Sequence, residues 1–116
     1  MDEDFYCDQV LSGKTKVEIV FETEDVLAFH HTHPYWEVHI VVIPKKHISS
    51  LLTLEKIDES LFLEMLRVIR QVAGRIATVN GGARILTNLG KYQESKHLHF
   101  HINSGGQIRP DVESQK

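Results

Sequence analysis

The sequence predicts a single α+β domain built on a mostly antiparallel sheet, and three observations support this. First, 116 residues are enough for one domain with a core, and the hydrophobic (41%) and charged (25%) fractions are ordinary for a globular chain. Second, helix and strand patterns follow one another in the order α-β-β-β-α-β-β. Third, one of these patterns predicts a long amphipathic helix, whose apolar side can pack on one face of a five-stranded sheet.

The first half of the chain is predicted to contain a short N-terminal helix and three strands. Glu3–Leu11 is the helix, and strands rich in β-branched and aromatic residues follow at 17–22 and 26–30. Pro34 then interrupts strand pairing, so the histidine-rich segment around it is predicted to be a loop. His39–Ile43 is a continuous apolar run opened by a histidine, which predicts a central strand buried on both faces.

The second half is predicted to contain the long helix and the last two strands. Lys56–Val79 carries apolar residues at three- or four-residue spacing, with Asp58 as a candidate N-cap and Asn80-Gly81-Gly82 as a stop signal. The other segments are a single helical turn at 49–54, a strand at 83–88, a loop at 89–96, a strand at 97–102, a turn at 103–107, and a polar, partly disordered tail at 108–116.

Charge and cysteine content limit the classes of function. The net charge of −3 and the pI near 6.2 argue against a general nucleic-acid binder or a binder of anionic membranes. No apolar run reaches the roughly 20 residues needed to span a bilayer. The first residues are acidic, unlike the basic start of a signal peptide. Cys7 is the single cysteine, so no intrachain disulfide can form, and a reducing cytoplasm is the expected compartment.

The most informative stretch is the last predicted strand, where histidines alternate strictly with apolar residues. All eight histidines of the chain fall in the windows 30–47 and 97–101. Period two places His97, His99 and His101 on one face of a strand. The opposite face, formed by Leu98, Phe100 and Ile102, can then pack on a core.

Three explanations of this histidine face remain open. It is an outward strand face that happens to be histidine, a metal site or a catalytic site. Same-face neighbours lie about 6.6 Å apart, so one ion with bonds of about 2 Å does not hold all three without a bend or bulge in the strand. A metal site would also need further ligands from elsewhere in the chain. Catalysis fits because neutral imidazole is a nucleophile, imidazolium is an acid, and both forms are accessible near neutral pH.

The same stretch resembles the signature of the histidine triad (HIT) family, His-φ-His-φ-His-φ-φ with φ apolar, except that Asn103 occupies the last φ position. Val26–His30 and Ile43–Ser49 are also similar to segments of the Hint branch of that family. In their order and spacing these segments cover most of the chain. The resemblance implies the HIT-like fold, with a five-stranded sheet and one long helix, and a homodimer.

The resemblance also implies an activity. Hint-type proteins are nucleotide-binding hydrolases that cleave nucleoside 5′-monophosphate derivatives, such as phosphoramidates with a purine base, through a nucleotidyl-histidine intermediate. By matching position, His99 is the nucleophile that attacks the α-phosphorus. His101 and His97 hydrogen-bond the phosphoryl oxygens, and His39 orients the triad.

Matching positions also imply which residues bind the nucleotide, and two positions differ from the usual residues of the Hint branch. Asn88 corresponds to an amide that binds the phosphate region, and the base and ribose pocket corresponds to Phe29, His30 and His31. His31 stands where the branch usually has an aspartate that holds the ribose hydroxyls. Glu94 stands where the branch has Ser or Thr, and Ser95 follows one place later as a substitute.

The resemblance implies a structural zinc site, but one of its usual cysteine ligands is absent from this sequence. Many HIT proteins carry a Cys-x-x-Cys pair in the first helix, but here the pair is Asp4-Phe5-Tyr6-Cys7. The other ligands of zinc-bearing relatives correspond to His47 and His97. A carboxylate replaces a thiolate poorly at a soft tetrahedral site. We therefore expect no cofactor, and zinc at Cys7, His47 and His97 is the less favoured alternative.

Two other functions remain as alternatives to a nucleotidyl hydrolase. Glu94 and His31 motivate a non-catalytic nucleotide-binding module, and the histidine content motivates a metal-binding histidine-cluster protein. Within the family, hydrolysis of dinucleoside polyphosphates is disfavoured by the Hint-like run 44–47. The expected partners are a small nucleotide substrate and a second copy of the chain, with no nucleic acid and no membrane.

Overall fold

The computed structural model describes residues 4–109, so Glu3 at the predicted helix start and residues 110–116 of the predicted tail lie outside it. Its elements are, in chain order, a short π-helix Tyr6–Leu11 (the N-terminal helix), β1 Ile19–Glu22, β2 Val26–His30, β3 Trp36–Pro44, 3₁₀ turns Leu51–Thr53 and Lys56–Asp58, α1 Glu59–Asn80, β4 Arg84–Leu86, a 3₁₀ turn Gly90–Tyr92 and β5 Phe100–Gln107.

The five strands form one antiparallel sheet in the order β1-β2-β3-β5-β4. The nine-residue strand β3 is central and is buried from His39 to Pro44, as its apolar composition predicts. It pairs with β5 in a register that places Val41 beside His101 and His39 beside Asn103. The predicted fold class, an antiparallel sheet with one long helix, is confirmed.

Each face of the sheet has its own apolar core. On one face Val26, Ala28 and Val42 pack with Leu98, Ile102 and the buried side of α1. On the other face Leu27, Phe29, Val41 and Ile43 pack with Tyr6 and Val10 of the N-terminal helix. Strand side chains alternate between faces. The histidines of 97–101 therefore lie on the face of the N-terminal helix, away from α1.

Helix α1 is the scaffold that its periodicity predicts. Met65, Ile69, Val72 and Ile76 are buried against the sheet, and Gly81 ends the helix with a positive φ of 91° and an amide that donates to the Ala77 carbonyl. Asp58 does not cap α1 through its side chain. Within residues 4–109, no helix is both long and apolar enough to cross a membrane.

The last strand differs from its prediction at both ends. β5 begins at Phe100, so His97 and His99 precede it, and it continues to Gln107 through the segment predicted as a turn. Two residue pairs, Trp36–Gln107 and Val38–Ser104, show that β5 carries one extra residue opposite β3, which is a β-bulge. Gly105, within the segment predicted as a turn, lies at this bulge with a φ of 82°.

Candidate active site

The histidine row is buried beneath the N-terminal helix. His97, His99 and His101 are at most 1% exposed, and the Tyr6 ring lies 4.9 Å from the His99 ring, centroid to centroid. The explanation of an outward face that happens to be histidine is therefore wrong. Histidines and apolar residues do point to opposite faces, but both faces are buried, one polar and one apolar.

His99 is held in one tautomer by the chain around it. Its Nδ1 lies 2.7 Å from the His97 carbonyl oxygen, which can only accept a hydrogen bond, so Nδ1 carries the proton. In the neutral ring Nε2 then holds the lone pair, and this atom is buried with no hydrogen-bond partner among residues 4–109. Thr87 Oγ1 donates to the His99 carbonyl at 2.7 Å and fixes the backbone at this point. His99 is therefore a neutral imidazole whose Nε2 lone pair is not engaged by any of the described residues.

His101 and His39 form a hydrogen-bonded pair whose direction follows from a backbone amide. The Tyr35 N–H donates to His39 Nδ1 at 3.0 Å, so His39 carries its proton on Nε2. His39 Nε2 lies 2.9 Å from His101 Nδ1 and donates to it. Neutral His101 then carries its own proton on Nε2. The predicted contact of His39 with the triad is present, and it makes His101 a hydrogen-bond donor.

Burial keeps these rings uncharged. Burial lowers the pKa of His99 to about 4, although the hydrogen bond to the His97 carbonyl acts in the opposite direction. Burial, with a smaller effect from His31, lowers the pKa of His39 to about 3. Near neutral pH both rings are neutral, which is the form in which an imidazole acts as a nucleophile.

Both ring nitrogens of His97 have other partners. Nε2 lies 2.7 Å from the Pro44 carbonyl oxygen, and Nδ1 lies 2.9 Å from Asp4 Oδ2 and 3.4 Å from Cys7 Sγ. This geometry favours a positioning role, through the carbonyl that holds His99, over the contact with a phosphoryl oxygen that the resemblance implies.

A cavity of about 400 Å³ opens beside the histidine row. Its walls are mostly aromatic and histidine side chains, with one carboxylate, one threonine and one serine from neighbouring loops. It is lined by Phe5, Tyr6, Phe29, His31, Thr32, His33, Tyr35, Val41, Glu94 and Ser95. An aromatic wall with a few polar groups suits a flat heterocycle attached to a polar group.

Three of the predicted binding residues line this cavity. Phe29, His31 and Ser95 are all buried, and the His31 ring lies 4.3 Å from the His39 ring. His30 does not reach it, because successive strand residues point to opposite faces; its ring lies 3.8 Å from the Glu18 carboxylate. Asn88 is half-buried just beyond β4, two residues after Leu86, the register partner of His101.

Several residues of the site were not predicted from sequence. Phe5 and Tyr6, at the start of the N-terminal helix, form part of the cavity wall. The backbone amides of Tyr35 and His33 donate hydrogen bonds to His39 and His31, and because these contacts come from the main chain, the residue types at 33 and 35 do not indicate them. The spacing of Tyr6 and Val10, one helical turn, could have identified the buried side of that helix. Glu94 lines the cavity although its side chain is largely exposed.

A second group of donors lies directly behind His97. Asp4, Cys7, His47 and His97 each offer one donor atom, and these four atoms lie within 4.8 Å of one another. Asp4 Oδ2 is hydrogen-bonded to both imidazoles, at Nδ1 of His47 and Nδ1 of His97. A carboxylate, a thiol and two imidazoles fit a tetrahedral transition-metal site in number and spacing. We call these four residues the Asp4 cluster.

Two acidities in the Asp4 cluster are perturbed. Burial raises the pKa of Asp4, but hydrogen bonds from the Cys7 amide and from His97 outweigh it and lower this pKa to about 2. Burial, and then the neighbouring Asp4 carboxylate, raises the pKa of the Cys7 thiol to about 11. The aspartate is ionised at neutral pH, whereas the thiol keeps its proton unless a cation displaces it.

The histidines 31, 39 and 101 also bring three ring nitrogens within 4.8 Å of one another, yet they do not fit a metal site. Both nitrogens of His39 are engaged, one by the Tyr35 amide and one by His101. The His33 amide donates to His31 Nδ1 at 2.9 Å, so neutral His31 carries its proton on Nε2. Ligand atoms must be free of protons. This trio is a hydrogen-bonded array.

Comparison with known proteins agrees with the histidine pattern and the fold. Residues 12–107 match the family described as HIT domain. An uncharacterised HIT-like protein of Helicobacter pylori is 34% identical over 100 residues, which cover 84% of this chain and 93% of that protein.

Two solved structures extend the comparison to three dimensions. A HIT family hydrolase from Legionella pneumophila has a TM-score of 0.76 at 28% identity and covers 90% of this chain and 95% of its own. A hypothetical histidine triad nucleotide-binding protein from Sulfolobus tokodaii has a TM-score of 0.76 at 29% identity, covering 92% of this chain and 72% of its own. With this fold, the histidine row and the match over residues 12–107, the chain belongs to the HIT family.

Proposed function

We propose that this protein is a nucleotide-binding hydrolase that cleaves nucleoside 5′-monophosphate derivatives, of phosphoramidate type with a purine preferred, through a nucleotidyl-histidine intermediate. The observation that carries the proposal is the state of His99. Its Nδ1–H donates to the His97 carbonyl, its Nε2 is a buried lone pair, and its ring packs against Tyr6 in the wall of the aromatic cavity. That is the arrangement a nitrogen nucleophile needs.

The reaction has two balanced steps. In the first, His99 Nε2 attacks the α-phosphorus, a new N–P bond forms, and the bond to the amine breaks while the amine takes up a proton from solvent. In the second, water attacks phosphorus, the His99 N–P bond breaks, and the water releases a proton. The net products are a nucleoside 5′-monophosphate and an amine. His101 donates through Nε2–H to a phosphoryl oxygen and is oriented by His39.

The cavity supports a purine nucleotide as the ligand. Phe5, Tyr6 and Phe29 provide flat apolar surface for a base, and the cavity volume of about 400 Å³ is in the range of small-molecule sites. The Ser95 hydroxyl supplies a polar contact near the phosphate end in this proposal. The similar proteins named as a hydrolase and as a nucleotide-binding protein lend further support.

Amine release from an adenosine phosphoramidate tests this function. Wild-type protein should release the amine, and His99→Ala should reduce turnover by at least about a thousandfold, since the nucleophile itself is lost. Arg70→Ala, an exposed position on the far side of α1, is the matched control and should retain wild-type turnover. Turnover by His99→Ala equal to the wild type would remove His99 from the mechanism.

A non-catalytic nucleotide-binding module is the second candidate, because the Glu94 carboxylate lines the cavity. A carboxylate beside a phosphate is repulsive unless it is turned away or protonated. This candidate predicts calorimetric binding of nucleotide without turnover in the wild type. If Glu94→Gln then gained amine release that depends on His99, the carboxylate would be identified as the cause.

We also propose that the protein is a homodimer. β4 is an edge strand, and Ile85 at its centre is 51% exposed, so this edge can pair with a second copy. Sedimentation equilibrium should give twice the chain mass of 13.3 kDa. Substituting Ile85 with Lys should shift that mass towards the monomer, whereas a monomeric wild type would contradict the proposal.

A further inference from the structure

We propose that the cavity accepts a nucleotide whose ribose carries a second phosphate, at the 2′ or the 3′ position, and that donors and cations at one edge of the cavity recognise it. This inference rests on the proposed function, because it names the class of nucleotide that the same site would bind. The residues that line or adjoin this edge, which we call the histidine edge, are His31, Thr32, His33, Tyr35 and Arg109.

The histidine edge lies where the sugar of a bound nucleotide would be. The His31 amide donates to the His39 carbonyl at 2.8 Å, so pairing with β3 continues past the end of β2. Phe29 and His31 therefore share a face of the sheet, about 6.6 Å apart. Phe29 belongs to the aromatic wall, and the centre of the His31 ring lies 5.9 Å from that of His101. Since ribose joins the base to the 5′-phosphate, a base at Phe29 and a phosphate at His101 leave the ribose beside His31.

The His31 side chain is a hydrogen-bond donor at this position. The His33 amide donates to His31 Nδ1 at 2.9 Å, so the neutral ring carries its proton on Nε2. The ring is 8% exposed and its centre lies 4.3 Å from that of His39, which holds it in place. An ionised phosphate, whose oxygens only accept, suits a fixed donor better than a pair of ribose hydroxyls, because each hydroxyl also has a proton to donate.

The histidine edge also supplies positive charge. His33 is an exposed imidazole, and an anion beside such a ring favours its protonated form near neutral pH. Arg109 is always charged; its guanidinium lies 6.0 Å from the centre of the Tyr35 ring, and its Nε donates to the Pro34 carbonyl at 2.7 Å. None of residues 31–35 is acidic, although the chain as a whole has a net charge of −3. The local charge therefore attracts an anionic substituent.

The buried histidines do not supply this charge. Burial lowers the pKa of His39 to about 3 and that of His99 to about 4, so both rings are neutral near pH 7. Among the described residues that line the cavity, Glu94 is the one carboxylate, and it comes from the loop at 89–96 and not from the histidine edge. A second phosphate would therefore be neutralised at the histidine edge.

Calorimetric titration of the full chain with four adenine nucleotides tests the proposal. The ligands are AMP, adenosine 3′,5′-bisphosphate, adenosine 2′,5′-bisphosphate and ADP, the last of which carries its second phosphate on the 5′ chain. At least one bisphosphate should bind at least about tenfold more tightly than AMP, which is the effect of one hydrogen bond to a charged group. ADP should bind within about threefold of AMP, because its second phosphate does not reach the histidine edge.

A carboxylate placed at the histidine edge should abolish the preference for a bisphosphate. His31→Asp replaces a donor with an anionic acceptor and should reduce the ratio of bisphosphate affinity to AMP affinity to about one or less. His30→Asp is the matched control: it changes the same residue type on the opposite face of the sheet and should keep the wild-type ratio. His33→Asp lies on the exposed loop, where folding is not at risk, and should lower the ratio at least about threefold.

The possible outcomes separate this inference from the proposed function. Binding of AMP with no gain from either bisphosphate would overturn the inference and leave the proposed function standing. An equal gain with ADP, or a ratio that survives both His31→Asp and His33→Asp, would mean that the histidine edge does not recognise a ribose phosphate. A folded protein that binds none of the four nucleotides would contradict the proposed function, and this inference with it.

Discussion

The position of one proton on each imidazole governs the chemistry of this site. His99 presents Nε2 because the His97 carbonyl takes its Nδ1–H, and His101 presents a donor because His39 is itself oriented by the Tyr35 amide. Alternation in the sequence is sufficient to predict that these rings share a face. It is not sufficient to predict the tautomers, because the carbonyl and amide groups that set them belong to the main chain of other segments.

Buried neutral histidines should make the protein sensitive to acid. The pKa of His39 is about 3 in the folded chain and near 6.5 when unfolded, so the unfolded state binds more protons between these values. Stability is therefore lost as the pH falls below about 6.5. Replacing His39 with Gln should reduce the loss between pH 7.5 and 5 by on the order of 1–2 kcal/mol, measured by urea unfolding across that range.

The matched control for the acid effect is His33→Gln, because His33 lies on the exposed loop. Its unfolding free energy should depend on pH as the wild type does. An identical pH dependence in His39→Gln and wild type would mean that folding does not lower the pKa of His39.

Ser95 is a residue whose role should appear in binding and not in stability. Its hydroxyl is buried against the cavity, and in the described part of the chain its Oγ has no hydrogen-bond partner. Ser95→Ala should change the unfolding free energy by less than about 0.5 kcal/mol, while weakening nucleotide binding about two- to tenfold in calorimetry, the value of one hydrogen bond.

Ser50→Ala is a control that should lower stability without changing nucleotide binding. The Ser50 hydroxyl accepts from the Leu52 amide at the start of a 3₁₀ turn, so its loss should cost about 1 kcal/mol of stability and leave nucleotide affinity unchanged. A Ser95→Ala variant that is destabilised but binds nucleotide normally would assign Ser95 a structural role only.

At the level of elements, the two strands that carry the site are longer than their local signals indicate. The Asn-Ser-Gly-Gly segment is typical of a turn, yet it continues β5, since β3 supplies pairing partners at Asn103, Ser104 and Gln107 and β4 pairs with Asn103. Helix α1 could be predicted almost to its ends because its periodicity is long. The extra residue in β5 could not, because a bulge depends on the partner strand.

Gly105 should be essential to this bulge. Its φ is positive, and an added Cβ would lie 2.1 Å from Glu37 Oε1 and 3.0 Å from Glu37 Cβ. Gly105→Ala should therefore destabilise the protein by about 1–3 kcal/mol in denaturant unfolding. Gly82→Ala has no atom within 4 Å of the added Cβ and should change stability little. Equal effects at both positions would contradict this account of the bulge.

On the scale of the whole molecule, the sheet separates a scaffold from a site. One face is covered by α1 and is apolar, and the other is covered by the N-terminal helix and holds the histidines, the cavity and the Asp4 cluster. Periodicity and the resemblance to the HIT family predict this division and the central residues. Local sequence patterns do not indicate the role of the N-terminal segment, because Asp4 and Tyr6 contact partners some 90 residues away in the chain.

The account as a whole depends on covalent chemistry at His99, and trapping the intermediate tests it most directly. Wild-type protein mixed with excess adenosine phosphoramidate and quenched in base should gain the mass of one adenylyl group on the peptide that contains His99. His99→Ala should gain none, and Arg70→Ala should gain the same mass as the wild type. An adduct in His99→Ala, or amine release by the wild type with no adduct under single-turnover conditions, would contradict the account.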